Sequence, residues 1–131
     1  MITNTSPALN APLVLIVDDD QAISALLKHL LAREGYTVKT LFDGLDAKDY
    51  IISNQEPPAL VLLEMMLPSI NGYDLIEIIR GSTAWKDIPV VALSSLSQED
   101  EIVRALKLGA NDYVTKPFRV NELLARINRL T

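Results

Sequence analysis

The chain of 131 residues has no cysteine, one histidine and one tryptophan, and only 5% of its residues are aromatic. Without cysteine there are no disulfides, thiolate metal sites or thiol nucleophiles, which agrees with a reducing compartment. The lone histidine, His29, reads as a surface residue, and transition-metal sites lack ligands. Positive charge is also scarce. Twelve Lys and Arg against 17 Asp and Glu leave a net charge of −5. That argues against direct binding of nucleic acid, whose phosphates need a basic surface. No apolar run approaches the ~20 residues of a membrane span. The opening Met1-Ile2-Thr3-Asn4-Thr5-Ser6-Pro7 lacks the basic start and apolar centre of a secretion signal. Residues 1–11 read as a loose polar arm and 12–131 as one domain, with no repeat or linker. The expectation is a soluble, cytoplasmic protein away from membranes.

What is present is a core. With 49% apolar and 22% charged residues, the chain can bury roughly two-thirds of its surface. Five short apolar runs, Leu13–Asp18, Tyr36–Leu41, Ala59–Glu64, Ile88–Leu93 and Asp112–Thr115, alternate with helical periodicity. Several are apolar at nearly every position, as parallel strands covered on both faces require. Ile23, Leu26, Leu27, Leu30 and Leu31 make one helical stripe, and Val120, Leu123, Leu124 and Ile127 another. Leu75, Ile78 and Ile79 mark a helix opened by Asn71 as N-cap. Ser97 with Asp100 predicts a capping box opening the fourth helix. Residues 43–55 carry a weaker helical pattern through Ala47, Tyr50 and Ile51. Strict alternation implies an α/β fold with right-handed crossovers. Five units favour a doubly wound (βα)5 three-layer sandwich, with a parallel sheet in the flavodoxin-like order 2-1-3-4-5.

In such a sheet ligands sit beyond the carboxyl ends of the strands, between strands one and three. Asp18-Asp19 ends the first and Glu64 the third. Three carboxylates brought together repel one another unless a cation intervenes, and a hard divalent ion such as Mg²⁺ suits oxygen ligands. The plainer reading of Asp18-Asp19-Asp20 is a helix cap, a role that suits Asp20. Lys116 ends the fifth strand and Ser94 the fourth, with the small Ser95 leaving room beside it. Acid pair, carboxylate, hydroxyl and lysine are the parts of a phosphoryl-accepting site. Met65 and Met66 read as packing residues, and Trp85 as a half-exposed one.

From about Pro12 to Leu130 the chain resembles a response-regulator receiver domain. The stretches that carry the resemblance include Val14-Leu15-Ile16-Val17-Asp18-Asp19-Asp20, Met66-Leu67-Pro68, Asn71-Gly72-Tyr73, Gly109-Ala110-Asn111-Asp112-Tyr113 and Lys116-Pro117-Phe118. The resemblance implies a signalling module of a two-component phosphorelay, not an enzyme, partnered by a histidine kinase or phosphotransfer protein. By that carry-over Asp18, Asp19 and the backbone carbonyl of Met66 hold Mg²⁺. Lys116 contacts the phosphoryl group, Ser94 bonds to it, and Tyr113 changes rotamer on activation. The Lys116-Pro117 bond is often cis in the family. In receivers of the transcription-factor type, helix four, strand five and helix five form a homodimer face. Asp112, Glu122 and Arg126 match its charges here, while Ile102 stands where a helix-four base is expected. The plainer reading of those charges is a solvated helix face.

Glu64 departs from the pattern, because the family's acceptor is an aspartate. The extra methylene displaces the carboxylate by ~1.5 Å, and ~1 Å of misplacement can cost about 10²-fold in rate. Three readings follow: a pseudo-receiver that signals without phosphorylation, a natural or engineered mimic of the phosphorylated state, and a slow but working acceptor. Two rival classes share the architecture. A flavin carrier needs a phosphate loop where Asp18-Asp19-Asp20-Gln21 would repel phosphate. A metal-dependent phosphohydrolase needs a second carboxylate as acid/base, and none is evident.

Overall fold

A computed structural model describes residues 11–131. The arm read over residues 1–11 lies, but for Ala11, outside the described residues. Five strands alternate with five helices: β1 Leu13–Val17, α1 Gln21–Arg33, β2 Thr37–Leu41, α2 Gly44–Ser53, β3 Leu60–Leu63, α3 Gly72–Gly81, β4 Val90–Ser94, α4 Glu99–Leu108, β5 Asp112–Thr115 and α5 Val120–Leu130. The sheet is parallel throughout, in the order β2-β1-β3-β4-β5. The strand runs expected from sequence hold to within two residues at each end. Asp18 and Glu64 fall just past their strands, where the ladder hands its last hydrogen bonds to the loops: Asp18 N–H donates to Leu41 O and Glu64 N–H to Val17 O.

Alternating side chains sort onto the two faces of the sheet. Val14, Ile16, Leu60, Leu62, Val91 and Leu93 pack under Leu27 and Leu31 of α1 and Leu123 and Ile127 of α5. Leu15, Val17, Val61, Leu63, Val90 and Ala92 face α2, α3 and α4 through Ala47, Ile51, Leu75, Ile76, Ile79 and Ala105. All three central strands are covered on both sides, which is why their runs carry no polar alternation. Each fully buried Leu or Ile contributes roughly 1.5–3 kcal/mol. Trp85 differs from expectation: it is fully buried, not half-exposed. Its ring packs edge-on to Tyr50 at 6.0 Å, and its indole N–H donates to Asn54 O at 2.9 Å. The one polar atom is thus satisfied, so nothing keeps the ring at the surface.

Helix starts follow local chemistry. Asp20 accepts from Ile23 N–H, Asp43 from Asp46 N–H and Asn71 from Asp74 N–H. The capping box of α4 lies one residue later than expected, with Gln98 as N-cap and Glu101 accepting from Gln98 N–H at 3.0 Å. Glu reaches back to that amide more easily than Asp does, so the Gln98–Glu101 pair wins over Ser97–Asp100. Gly72 opens α3 hard against the site. A Cβ there would lie 2.5 Å from Glu64 O and 2.7 Å from Met65 Cα, so only glycine lets the helix approach this closely. Arg80 at the far end of α3 went unread in the sequence. Its guanidinium donates to Lys86 O, Ile88 O, Gly109 O and Asn111 Oδ1, binding α3, the approach to β4 and the end of α4 together. His29 is exposed.

Candidate functional site

The carboxyl ends of β1, β3 and β5 meet around one ammonium group. Lys116 Nζ donates to Asp18 Oδ2 at 2.7 Å and to Glu64 Oε1 at 3.0 Å. Asp18 is 2% exposed and Glu64 5%. Neither carboxylate has an oxygen left without a partner. Asp18 Oδ1 accepts from Asp20 N–H at 3.0 Å. Glu64 Oε2 accepts from Met65 N–H at 2.7 Å and Met66 N–H at 3.1 Å. The side chain of Glu64 thus bonds to the loop that follows it as well as to Lys116.

Protonation follows from this sharing. Burial pushes the Asp18 carboxyl above its ordinary 3.8, although Lys116 and the Asp20 amide pull the other way and Glu64 adds to the rise. Burial is also the largest single influence on Lys116, and it favours the neutral amine. The two carboxylates together outweigh it, so the ammonium is held above its ordinary 10.5. Lys116 has two carboxylates, while each carboxylate has half a lysine.

Asp19 is exposed and lines a cleft of ≈ 510 Å³ with Asp18, Asp20, Ile23, Glu64, Met66, Ser95 and Lys116. Asp18, Asp19 and Glu64 thus line one cleft, as expected from the strand ends. Among the described residues no group of three His, Cys, Asp or Glu side chains is set to hold a metal ion. Glu64 is bonded to the Met65 and Met66 amides and to Lys116. Ser94 is fully buried, and its Oγ accepts from Leu96 N–H at 3.2 Å and makes no hydrogen bond to Glu64. Tyr113 is half-buried, its hydroxyl donating to Leu96 O at 2.6 Å, and burial raises its pKa. Ser94 and Tyr113 therefore hold the two polar backbone groups of one residue. Sequence reasoning named both side chains but not Leu96, which offers no chemical signal. Lys116-Pro117 is cis. Met65 is buried, whereas Met66 is 56% exposed and does not pack as expected. At the far side of β5, Arg126 donates to Asp112 at 3.0 Å and Glu122 at 3.2 Å, and Arg129 lies 3.6 Å from Asp112.

Residues 14–128 match the response regulator receiver domain. The chain belongs to that family. The receiver is 40% identical over 119 residues to the DNA-binding dual master transcriptional regulator RpaA of Synechocystis, and 41% identical over 118 residues to the transcriptional regulatory protein DltR of Streptococcus agalactiae. These matches cover 91% and 90% of the receiver but 48% and 51% of the relatives, so it spans about half their length. Its fold is that of the Francisella response regulator 1452 receiver domain, at 34% identity and a TM-score of 0.82, covering 91% of this chain and 95% of that one. It also matches the receiver domain of the sensor histidine kinase PA1611 of Pseudomonas aeruginosa, solved with magnesium in its active-site cleft. That pair is 26% identical with a TM-score of 0.82, over 92% of this chain and 97% of that one. The likeness extends to the BeF3-activated DrrB receiver domain, at 31% identity and a TM-score of 0.80, over 92% and 97%. The flavodoxin-like fold and the two-component family are thereby shared. Among the described residues no helix is long and apolar enough to cross a membrane.

Proposed function

We propose that this receiver signals without being phosphorylated, because Glu64 already supplies the negative charge that Lys116 and the Met65–Met66 amides would offer to a phosphoryl group. One observation carries the reading: every oxygen of the Glu64 carboxylate is engaged, at 3.0 Å to Lys116 and at 2.7 and 3.1 Å to the two amides. A slow acceptor would need a Glu64 oxygen placed in line with the donor, and the added methylene displaces the carboxylate by ~1.5 Å from where an aspartate would hold it. Mimicry is partial, since a glutamate carries about one negative charge against nearly two for a phosphoryl group. Ser94 reflects the shortfall, its hydroxyl still serving Leu96. The module is a binding element and not an enzyme. A histidine kinase or phosphotransfer protein of the type the family uses would dock to it without durable transfer.

Mg²⁺ fits the residues only weakly. Asp18, Asp19 and the carbonyl of Met66 would hold it, with water completing the shell, as this ion tolerates. Asp18 already shares its oxygens with Lys116 and Asp20, and Glu64 shares its own with Lys116 and the Met65 and Met66 amides. When bound, the ion would offset carboxylate charge beside the acceptor position. Titration with Mg²⁺ and beryllofluoride, followed by amide chemical shifts, tests the whole reading. The unmodified chain should bind Mg²⁺ more weakly than Glu64→Asp, and beryllofluoride should shift Ser94 and Tyr113 in Glu64→Asp alone. Equal responses from both proteins would defeat it.

The face formed by α4, β5 and α5 is proposed as a weak homodimer surface. Asp112, Glu122 and Arg126 pair within one chain. Association would exchange those pairs for equivalent ones across the interface, at a gain of only about 0–1 kcal/mol each. Val103 and Leu106 of α4 are 37% and 44% exposed and supply apolar area. Arg126→Asp should shift a concentration-dependent dimer toward monomer in sedimentation with the fold intact. A wild-type chain that stays monomeric at high concentration would remove the proposal.

A further inference from the structure

A second cleft lies beside the acid cleft, on the other side of Met66. It is an open groove of ≈ 460 Å³ between the loop after β3 and the start of α4. Met65, Met66, Leu67, Pro68 and Leu96 give it an apolar lining, and Tyr73 and Arg104 belong to the wall that meets α4. Asp19 and Met66 line both clefts, so the two share a rim.

The α4 wall is built with care. The Tyr73 ring is 6% exposed, and its hydroxyl donates to Glu101 O in α4 at 3.1 Å. The Arg104 guanidinium lies over that ring at 4.1 Å from its centroid. Stacking fixes the guanidinium plane and leaves its edge donors free. Among the described residues Arg104 has no ion pair and no side-chain hydrogen bond, unlike Arg80 and Arg126. The result is an oriented, exposed cation over an apolar floor, on a chain whose net charge is −5.

We infer that this groove docks a peptide segment of a partner protein, one that lays an apolar side chain across Met66, Leu67 and Leu96 and brings a carboxylate to Arg104. Asp19 at the shared rim favours a basic residue at the segment's other end. The same Asp19, with Asp18 and Asp20 beyond it, repels phosphate-dense ligands, which disfavours nucleotides and phosphopeptides. A carboxylate on a planar guanidinium edge makes two parallel charge-assisted hydrogen bonds, giving the segment a fixed direction.

The groove is also tied to the acid site by its Leu96 wall. Leu96 N–H is held by Ser94 and Leu96 O by Tyr113. Any event that draws the Ser94 hydroxyl toward position 64 releases the first of these bonds and moves the wall. Docking itself does not depend on Glu64 being a phosphoryl mimic. Only this coupling does.

The test is a selection of random dodecapeptides displayed on phage against the full 131-residue chain, counter-selected on Arg104→Glu. Enriched sequences should pair an acidic residue with apolar ones. A synthetic copy should shift the amides of Met66, Leu67 and Leu96 and lose about 10-fold or more in affinity on Arg104→Glu, as loss of a charge-assisted pair predicts. Met66→Asp, at an exposed position, should weaken binding independently, with circular dichroism checking that both variants fold. No enrichment would overturn the inference. So would peptides that bind Arg104→Glu equally well, or that perturb α5 instead of the groove.

Discussion

Glu64→Asp is expected to accept a phosphoryl group from acetyl phosphate at least about 10²-fold faster than the unmodified chain. Phosphoryl transfer needs an attacking oxygen in line with the donor and charge stabilisation around it, and little else. Here the stabilising partners are present, with Lys116 at the site and backbone amides at Met65 and Met66. They are occupied by the carboxylate that should be attacking. Removing one methylene withdraws that carboxylate by ~1.5 Å. An aspartate there would set its attacking oxygen where the family's acceptor stands, and positioning of that order is worth about 10²-fold in rate. Lys116 and the amides then become free to receive the phosphoryl group. Intact-protein mass after incubation with acetyl phosphate and Mg²⁺ measures the change directly. Strong labelling of the unmodified chain, or no gain in Glu64→Asp, would sink the idea that the side-chain length disables the site.

Lys116→Met should cost about 3–5 kcal/mol of folding stability near neutral pH, because it leaves buried carboxylates without their cation. The side chains of Lys116, Asp18 and Glu64 are 13%, 4% and 6% exposed, so water cannot take over the lysine's role. The pH dependence has a definite sign. Burial raises the folded-state pKa of Asp18 above 3.8. A group of that kind contributes stability that is fully present below its unfolded pKa and is lost as pH rises through the folded value. Without Lys116 the opposing pull disappears and the rise grows. The variant should therefore regain stability as pH falls from about 7 toward 5, while the unmodified chain changes less. Lys116 has the opposite window. Its folded pKa lies above 10.5, so its contribution holds below that value and is lost as pH climbs past the raised one. The variant lacks that alkaline step. Urea unfolding at several pH values checks both arms, and equal stability of the two proteins near pH 7 would show the ion pair is not structural.

Much of this was legible along the chain because strand burial is a local signal. A run such as Leu13-Val14-Leu15-Ile16-Val17 is compatible with few places other than the middle of a covered parallel sheet. Its neighbours in space need not be known. Caps at Asp20 and Asn71 were equally readable, since a cap is satisfied within three residues. Errors came where two local solutions compete or where burial depends on distant partners. The α4 capping box fell at Gln98–Glu101 rather than Ser97–Asp100. Trp85 is buried against expectation because its indole partner, Asn54 O, lies 31 residues away in sequence.

The amino-acid sequence by itself determined the order of elements, the sheet topology, the receiver family and the gathering of Asp18, Glu64 and Lys116 at one edge. The family follows from resemblance in the motif stretches and the rest from apolar periodicity, crossover handedness and strand ends, none of which needs a distance. Only the tertiary structure decided what Glu64 does with its added length. A glutamate can reach forward to a metal, sideways to a hydroxyl or back to its own loop, and rotamer choice depends on which donors stand within ~3 Å. Amides at Met65 and Met66 and the ammonium of Lys116 are those donors, while the Ser94 hydroxyl pairs with Leu96 N–H. The same holds for Arg126, whose neighbours within the chain, Asp112 and Glu122, are set by the fold. Charge type is written in the sequence. Which opposite charge lies nearest is a property of three dimensions.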